Sequence, residues 1–268
     1  MDTLIWNKKL FCMEKLSVIK VGGAILENKD SLCRLLDDFA ALPGNKVLVH
    51  GGGRAATRIA SGLGIESQMV NGRRVTDEKM LDIVTMVYGG LVNKQTVAGL
   101  QARGVNALGL TGADMNVIQG YKRPVKDVDY GWVGDVDCAD GSMLKTLIAK
   151  GIVPVMAPLI HDGMGHMLNT NADTIASQVA CALSAYYDVT LTYCFEKPGV
   201  LRDADDDNSV IRHITRENFQ RLVQEEVISG GMIPKLENAY DAINKGVTCV
   251  MITRADNLDG SRGTLISG

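Results

Sequence analysis

The chain has 268 residues, 46% hydrophobic and 22% charged, with a formal net charge of −3, a pI near 5.8 and a mean hydropathy of +0.05. That length leaves room for one large domain, or two that share a sheet. No apolar run reaches the ~20 residues of a membrane span, and no basic cluster points to nucleic acid or an anionic membrane, so any anion site must be local.

The opening MDTLIWNKKLFCMEKL is too short and interrupted in its apolar stretches for a signal or transit peptide. Residues 1–15 read as an N-terminal extension, with Met13 as an alternative start. VIKV, residues 18–21, then reads as a buried strand, because continuous Val and Ile runs fill parallel sheets covered on both faces. Lys20 does not belong in such a strand. An unpaired buried ammonium is costly, so it must leave the apolar layer or meet an anion. Gly22 and Gly23 follow, and SLCRLLDDFAAL places Leu32, Leu35, Leu36 and Phe39 on one helical face before Pro43 and Gly44 stop it. KVLVH is a second strand, leading through Gly51, Gly52 and Gly53 into the helix RAATRIASGLG.

VTDEKMLDIVTMVYGGLVNKQTVAGL reads as one long helix, with Thr76 as its cap and Asp77 and Glu78 at the positive end of its dipole. Strands are expected at VNALGL, IVPVMAP, VTLTY and VTCVMI, and helices at ADTIASQVACALSAY, TRENFQRLVQEEVI and PKLENAYDAINKG. The polar stretch between Gly120 and Ser142 reads as an inserted hairpin or loop excursion. DADDDNS from Asp203 resembles the start of a calcium loop, but Asn208 and Ile214 stand where glycine and glutamate are needed, so it reads as a solvated loop. Strands alternating with helices predict an α/β fold with a mostly parallel sheet covered on both faces. Cys12, Cys33, Cys138, Cys181, Cys194 and Cys249 form no C-x-x-C pair and read as reduced thiols of a cytoplasmic protein. His50, His161, His166 and His213 lack metal-ligand spacing with any cysteine.

In open α/β sheets, ligands sit outside the carboxyl ends of the strands. Lys20 lies near such an end, where its stem stays packed while the ammonium reaches the crevice. The HGGG turn lets backbone approach a ligand closely and leaves N–H groups facing it at a helix N-terminus. Two glycine turns and a lysine make an anion cradle, suited to phosphate or carboxylate. The chain has no G-x-x-x-x-G-K-[ST], no G-x-G-x-x-G after a strand, no G-x-S-x-G and no H-E-x-x-H.

KVGGA after the first strand, HGGG after the second, NGRRVT near Asn71, LNTNADTIA near Leu168 and GGMIPKLENA near Gly230 together resemble the amino acid kinase family, in motif order over residues 16–268. The resemblance implies a carbamate kinase-like three-layer αβα sandwich with a central, mostly parallel sheet. Residues 16–188 would form the lobe that binds an acylated amino acid, and residues 189–268 the nucleotide lobe, on one shared sheet. The implied reaction is ATP-dependent phosphorylation of the γ-carboxylate of an N-acylated L-glutamate, in arginine biosynthesis, with an acetyl group or a larger one such as succinyl. Alternatives are another acceptor within the family (aspartate, glutamate, carbamate, a nucleoside monophosphate), a catalytically silent metabolite-binding subunit, or a dinucleotide-dependent oxidoreductase.

By the same resemblance, Lys20 and Lys235 neutralise the transferred phosphoryl, and Asp173 orients both lysines with Asn171 beside it. Gly23, Gly52 and Gly53 offer N–H groups, while Arg74 and Asn169 hold the α-carboxylate and amide of the acyl amino acid. ATP lies over Gly22, Glu196, Lys197, Gly199 and Met232, carrying Mg²⁺ on its phosphates, with no metal site on the protein itself. CFEKPGVL departs from the family's shorter aspartate-containing turn, so Glu196 or Lys197 is expected to replace that contact. Arg73, beside Arg74, adds a cation that could meet an extra carboxylate. Arginine-inhibited relatives carry a longer N-terminal helix linking dimers into hexamers. Only about fifteen residues precede the first strand here, which predicts an unlinked homodimer without strong arginine inhibition.

The physics agrees with such a reaction. A carboxylate brought to ~4 Å from another unit charge is repelled by about 4 kcal/mol at an effective dielectric of 20, which fixed cations must cancel. The nucleophile is already ionised at pH 7, so no general base is needed.

Overall fold

The computed structural model describes residues 13–230 and 232–268; Cys12 and most of the expected N-terminal extension lie outside them. In chain order, strand β1 (Lys15–Val21) leads through a glycine turn into α1 (Gly23–Glu27) and α2 (Lys29–Ala41). Strand β2 (Asn45–His50) leads through the second glycine turn into α3 (Gly53–Gly62). A small hairpin, β3 (Met69–Val70) and β4 (Arg73–Arg74), precedes α4 (Glu78–Val84). The chain then widens into a π-helix over Thr85–Val92 and returns to α-helix in α5 (Asn93–Gln101). There follow β5 (Ala107–Leu110), β6 (Ile118–Lys122), β7 (Gly134–Ala139), α6 (Gly141–Ala149), β8 (Val153–Met156), β9 (Leu159–His161), β10 (Met167–Asn169) and α7 (Ala172–Leu183). The last part holds β11 (Asp188–Phe195), β12 (His213–Thr215), α8 (Arg216–Gln224), α9 (Met232–Asn244), β13 (Cys249–Arg254) and β14 (Thr264–Ser267).

Eight strands form the central sheet in the order β12-β14-β13-β11-β1-β2-β8-β5. The run from β13 to β5 is parallel, and β14 turns antiparallel to β13. Strand alternation sorts β1 between two cores. Ile19 and Val21 pack with Leu35, Leu36 and Phe39 of α2 and Leu100 of α5 on one face. Leu16 and Val18 pack with Leu144, Ile175, Val179 and Leu236 of α6, α7 and α9 on the other. These are the three layers expected from the sequence. Lys20 is the next residue on the α7 face after Leu16 and Val18, so the strand carries it to the point where α7 begins.

The excursion after Gly120 does form a hairpin, β6 with β7, but it joins β9 and β10 in a second sheet ordered β10-β9-β6-β7. Strands β9 and β10 are three residues each, too short to show an apolar period. The long helix is not regular α-helix throughout. Gly89 and Gly90 sit in the π-helical stretch, where weak helix propensity leaves the backbone least committed to α geometry. Its cap is Asp77, whose carboxylate accepts from the Met80 amide at 2.8 Å, rather than Thr76. Thr76 is buried and donates to the Arg74 carbonyl at 3.1 Å. The acidic run from Asp203 is a surface turn whose Asp207 pairs with Lys197 and Arg254. Among the described residues, five cysteines are free thiols, and no helix is long and apolar enough to cross a membrane.

Candidate active site

The two glycine turns meet at the carboxyl ends of β1 and β2. The Gly51 amide donates to the Val21 carbonyl at 3.1 Å, which ties one turn to the other. A Cβ placed on Gly23 would lie 3.8 Å from the Gly52 and Gly53 nitrogens and 4.0 Å from that of Arg54. The amides that open α3 therefore face the start of α1. Such amides have no intrahelical acceptor, and together with the helix dipole they form an anion site. Tyr88, from the π-helical stretch, closes the back of the turn so tightly that a Cβ on Gly52 would lie 2.6 Å from its ring.

Lys20 is only 9% exposed, and its Nζ lies 2.8 Å from Oδ1 of Asp173, in the first turn of α7. The α7 N-cap is Asn171, whose Oδ1 accepts from the Asp173 amide at 2.7 Å. Phe195, at the end of β11, carries both lysines: Lys20 Nζ is 5.6 Å and Lys235 Nζ 4.0 Å from its ring centroid. The two ammoniums thus lie no farther apart than the sum of those distances, although Lys20 and Lys235 are far apart in sequence. Among the described residues Asp173 pairs with Lys20 and not with Lys235. Of the two lysines expected on Asp173, Lys235 instead reaches in from α9 and rests on the aromatic face, a cation–π contact.

Two cavities open on either side of this centre. One, of about 180 Å³, is lined by Gly51, Gly52, Gly53, Arg74, Asn169 and Asn171, with Arg73 also on its wall. Arg74 is buried there, and its terminal nitrogens donate to Ser67 Oγ at 2.7 Å, and to the Gly53 carbonyl and Thr57 Oγ1, each at 2.8 Å. Its donors face neutral oxygens, and among the described residues no carboxylate pairs with it, so this cavity carries an uncompensated positive charge. Asn169 is held by its amide nitrogen, which donates to Thr76 Oγ1 at 2.9 Å.

The other cavity, of about 490 Å³, is lined by Gly22, Gly23, Glu196, Lys197, Gly199, Met232 and Lys235. The residues the sequence assigned to a nucleotide therefore do come together. Glu196 pairs with Arg54 at 3.4 Å across the cavity mouth, both well exposed. The Lys197 ammonium turns away to the Ala204 carbonyl at 3.0 Å and to Asp207. Gly53 lies on the walls of both cavities. Sequence reasoning missed Tyr88 and Phe195, which shape the centre. The adjacent Gly89–Gly90 pair inside a helical pattern was the available signal for Tyr88; nothing local marks Phe195. No three His, Cys, Asp or Glu side chains gather as a metal cage among the described residues.

His50, the last residue of β2, is wholly buried, and burial pushes its imidazole down to about 4, with nearby Lys94 acting in the same sense. Its ordinary value, near ~6.5, applies in the unfolded chain. Between those values the unfolded state binds the proton and the folded state does not, so stability falls with falling pH. A loss of about 2 kcal/mol between pH 7 and pH 5 is expected from this group. Denaturant titrations of wild type and His50→Asn at the two pH values check it: the variant should lose correspondingly less.

The sequence model of the amino acid kinase family matches residues 15–254. The chain belongs to that family. It is 68% identical to an acetylglutamate kinase of Bacteroides thetaiotaomicron, covering 94% of this chain and 98% of the relative. It is 62% identical to one of Parabacteroides distasonis, covering 95% and 100%. Among solved structures, smu.665 from Streptococcus mutans is similar with a TM-score of 0.76 at 30% identity, covering 94% of this chain and 98% of that one. Carbamate kinase from Giardia lamblia bound to AMP-PNP matches with a TM-score of 0.62 at 15% identity, over 95% and 98%. That likeness is one of fold, and it agrees with the three-layer architecture expected of this kinase family.

Proposed function

We propose that this kinase transfers the γ-phosphoryl group of ATP to the γ-carboxylate of N-acetyl-L-glutamate, in arginine biosynthesis. Two cavities that meet at Gly53, with a cradle of backbone amides and the Lys20 and Lys235 ammoniums close by, carry the reading. The acetylglutamate kinases at 62–68% identity support the choice of acceptor. In this reading the smaller cavity holds the acyl amino acid, its α-carboxylate in the field of Arg74 and its amide at Asn169. The larger holds ATP, and at about 490 Å³ it falls in the ~300–1,000 Å³ range of small-molecule sites. Residues 16–188 supply the first and residues 189–268 most of the second.

A carboxylate oxygen attacks the γ-phosphorus, the bond to the β-phosphate oxygen breaks, and ADP leaves with that bonding pair. No proton moves, so the centre needs cations and fixed donors rather than a base. The amides of Gly23, Gly52 and Gly53 donate to the oxygens of the moving phosphoryl, Lys20 is held in place by Asp173, and Lys235 approaches from the nucleotide side. Bound with ATP, Mg²⁺ would supply further charge neutralisation at the phosphates. The enzyme works as a cytoplasmic homodimer.

N-succinyl-L-glutamate is the second acceptor to test, because Arg73 lines the same cavity and, among the described residues, has no ion-pair partner. ADP release should be followed with N-acetyl- and N-succinyl-L-glutamate, free glutamate and aspartate. Turnover with an N-acylated glutamate and not with the free amino acids is expected; ATP consumption with none of the acceptors would end the proposal. Arg74→Ala is expected to raise KM for the acyl amino acid about tenfold or more while changing kcat less, since it removes a charge felt in ground and transition state alike. A selective rise in KM for ATP would contradict that role.

A further inference from the structure

We infer that the buried His50–Asn93 pair is the positioning device of the glycine cradle, fixing the Gly51–Gly52 peptide so that the Gly52 amide faces the transferred phosphoryl. The kinetic part of this inference rests on the kinase reading above.

Asn93, the first residue of α5 after the π-helical stretch, is buried. Its Nδ2 donates to the Val155 carbonyl of β8 at 2.9 Å and lies 3.0 Å from His50 Nε2. A carbonyl can only accept, so the nitrogen end of the amide must face Val155. The same nitrogen then offers its second hydrogen to His50. Nε2 is thereby the acceptor, and the ring proton of the neutral imidazole sits on Nδ1. Nδ1 lies 2.7 Å from the Gly51 carbonyl, to which it donates.

The consequence reaches the cradle through peptide geometry. Among the described residues no peptide is cis, and in a trans peptide the carbonyl and the following N–H point in opposite directions. Holding the Gly51 carbonyl toward His50 therefore turns the Gly52 N–H away from it, toward the space in front of Gly23. A glycine turn would otherwise be free to rotate that peptide. The Gly51 amide on Val21 fixes one side of the turn, and His50 fixes the other.

Two oddities of the core fall into place on this account. Asn93 Oδ1 is buried without a hydrogen-bond partner, an unfavourable arrangement that an apolar side chain would avoid. It follows from spending both amide hydrogens on Val155 and His50. Gly109 of β5 leaves the room for it, since a Cβ there would lie 1.8 Å from that oxygen. Burial keeps the imidazole neutral near pH 7, so the cradle's donor geometry does not change with titration in that range.

The test compares three variants with wild type. In His50→Asn the amide nitrogen can stand where Nδ1 stood; in His50→Leu no donor remains; in Asn93→Leu Nε2 loses its donor and the ring is held by the Gly51 carbonyl alone. With folding followed by cooperative thermal unfolding, His50→Leu should lose kcat about 10²-fold with KM for both substrates within about threefold, as for loss of one preorganised donor. His50→Asn should recover most of that loss. Histidine ¹⁵N NMR of the wild-type protein, which does not depend on turnover, should show Nδ1 protonated and Nε2 unprotonated but hydrogen-bonded, and in Asn93→Leu the Nε2 resonance should move toward that of an unbonded ring nitrogen. Wild-type kcat in folded His50→Leu would overturn the inference. So would a His50→Asn variant as slow as His50→Leu, or an Nε2-protonated ring in the wild type. If His50→Leu does not fold, the wild-type spectrum and Asn93→Leu decide alone: Asn93→Leu with unchanged kcat and an unchanged Nε2 resonance would equally overturn it. Absence of wild-type turnover on any acceptor would count against the kinase reading and leave the tautomer result to stand or fall separately.

Discussion

Lys235→Ala and Lys20→Ala are each expected to lower kcat by roughly 3–4 kcal/mol, a factor of about 10² to 10³. Both ammoniums approach the Phe195 ring on the wall of the larger cavity, where charge develops as the phosphoryl leaves ADP. Their side effects should differ, and that difference identifies the roles. Lys235 has no ion-pair partner among the described residues, so its removal costs one cation–π contact and should shift thermal stability little. Lys20 is buried against Asp173 at 2.8 Å. Its removal leaves a carboxylate unpaired beside the site, so Lys20→Ala should also be measurably less stable. Parallel steady-state kinetics and thermal unfolding check both statements. Near-normal turnover in either folded variant would remove that lysine from the mechanism.

Gly23→Ala should abolish most activity while leaving the fold intact. The added methyl would sit 3.8–4.0 Å from the amide nitrogens of Gly52, Gly53 and Arg54, an ordinary packing distance that asks nothing of the protein. An oxygen accepting from those amides must come to about 2.9 Å, and the methyl lies across that approach. Gly23 is the first residue of α1, a position where alanine is at least as good a helix former. Loss of kcat/KM of at least about 10²-fold with an unchanged or slightly raised Tm is therefore expected. Gly52→Ala offers the contrast: its methyl would meet the Tyr88 ring at 2.6 Å, so activity and stability should fall together. If Gly23→Ala turned over normally, the cradle would not be where the phosphoryl passes.

Much of this site was legible in the chain because its chemistry is written in local order. Lys20 is a charge inside an apolar run, and Gly22, Gly23 and Gly51 to Gly53 follow strands directly, so strand, turn and anion site are read from consecutive residues. The alternation of Leu16, Val18 and Lys20 against Ile19 and Val21 already contains the two faces of the sheet. The motifs around Arg74, Asn169, Asp173 and Lys235 assigned partners that local physics could not; Arg74 and Asn169 line one cavity and Lys235 the other, while Asp173 meets Lys20 at 2.8 Å.

What only the tertiary structure decided are the relations between distant segments. Asp173 could be named as a partner of lysine, but that it meets Lys20 while Lys235 rests on Phe195 depends on where α7 and α9 dock on the sheet. The π-helical turn that brings Tyr88 onto Gly52 depends on packing around Gly89 and Gly90, which a 3.6-residue period cannot express. The tautomer of His50 is set from both sides of the ring, by the Gly51 carbonyl at Nδ1 and by Asn93, itself oriented by a carbonyl of β8, at Nε2. Sequence fixes which groups a chain owns and how its near neighbours alternate. Which lone pair faces which proton is settled where strands and helices distant in sequence share one core, because hydrogen bonds and ion pairs act over a few ångströms and sequence carries no direct record of those distances.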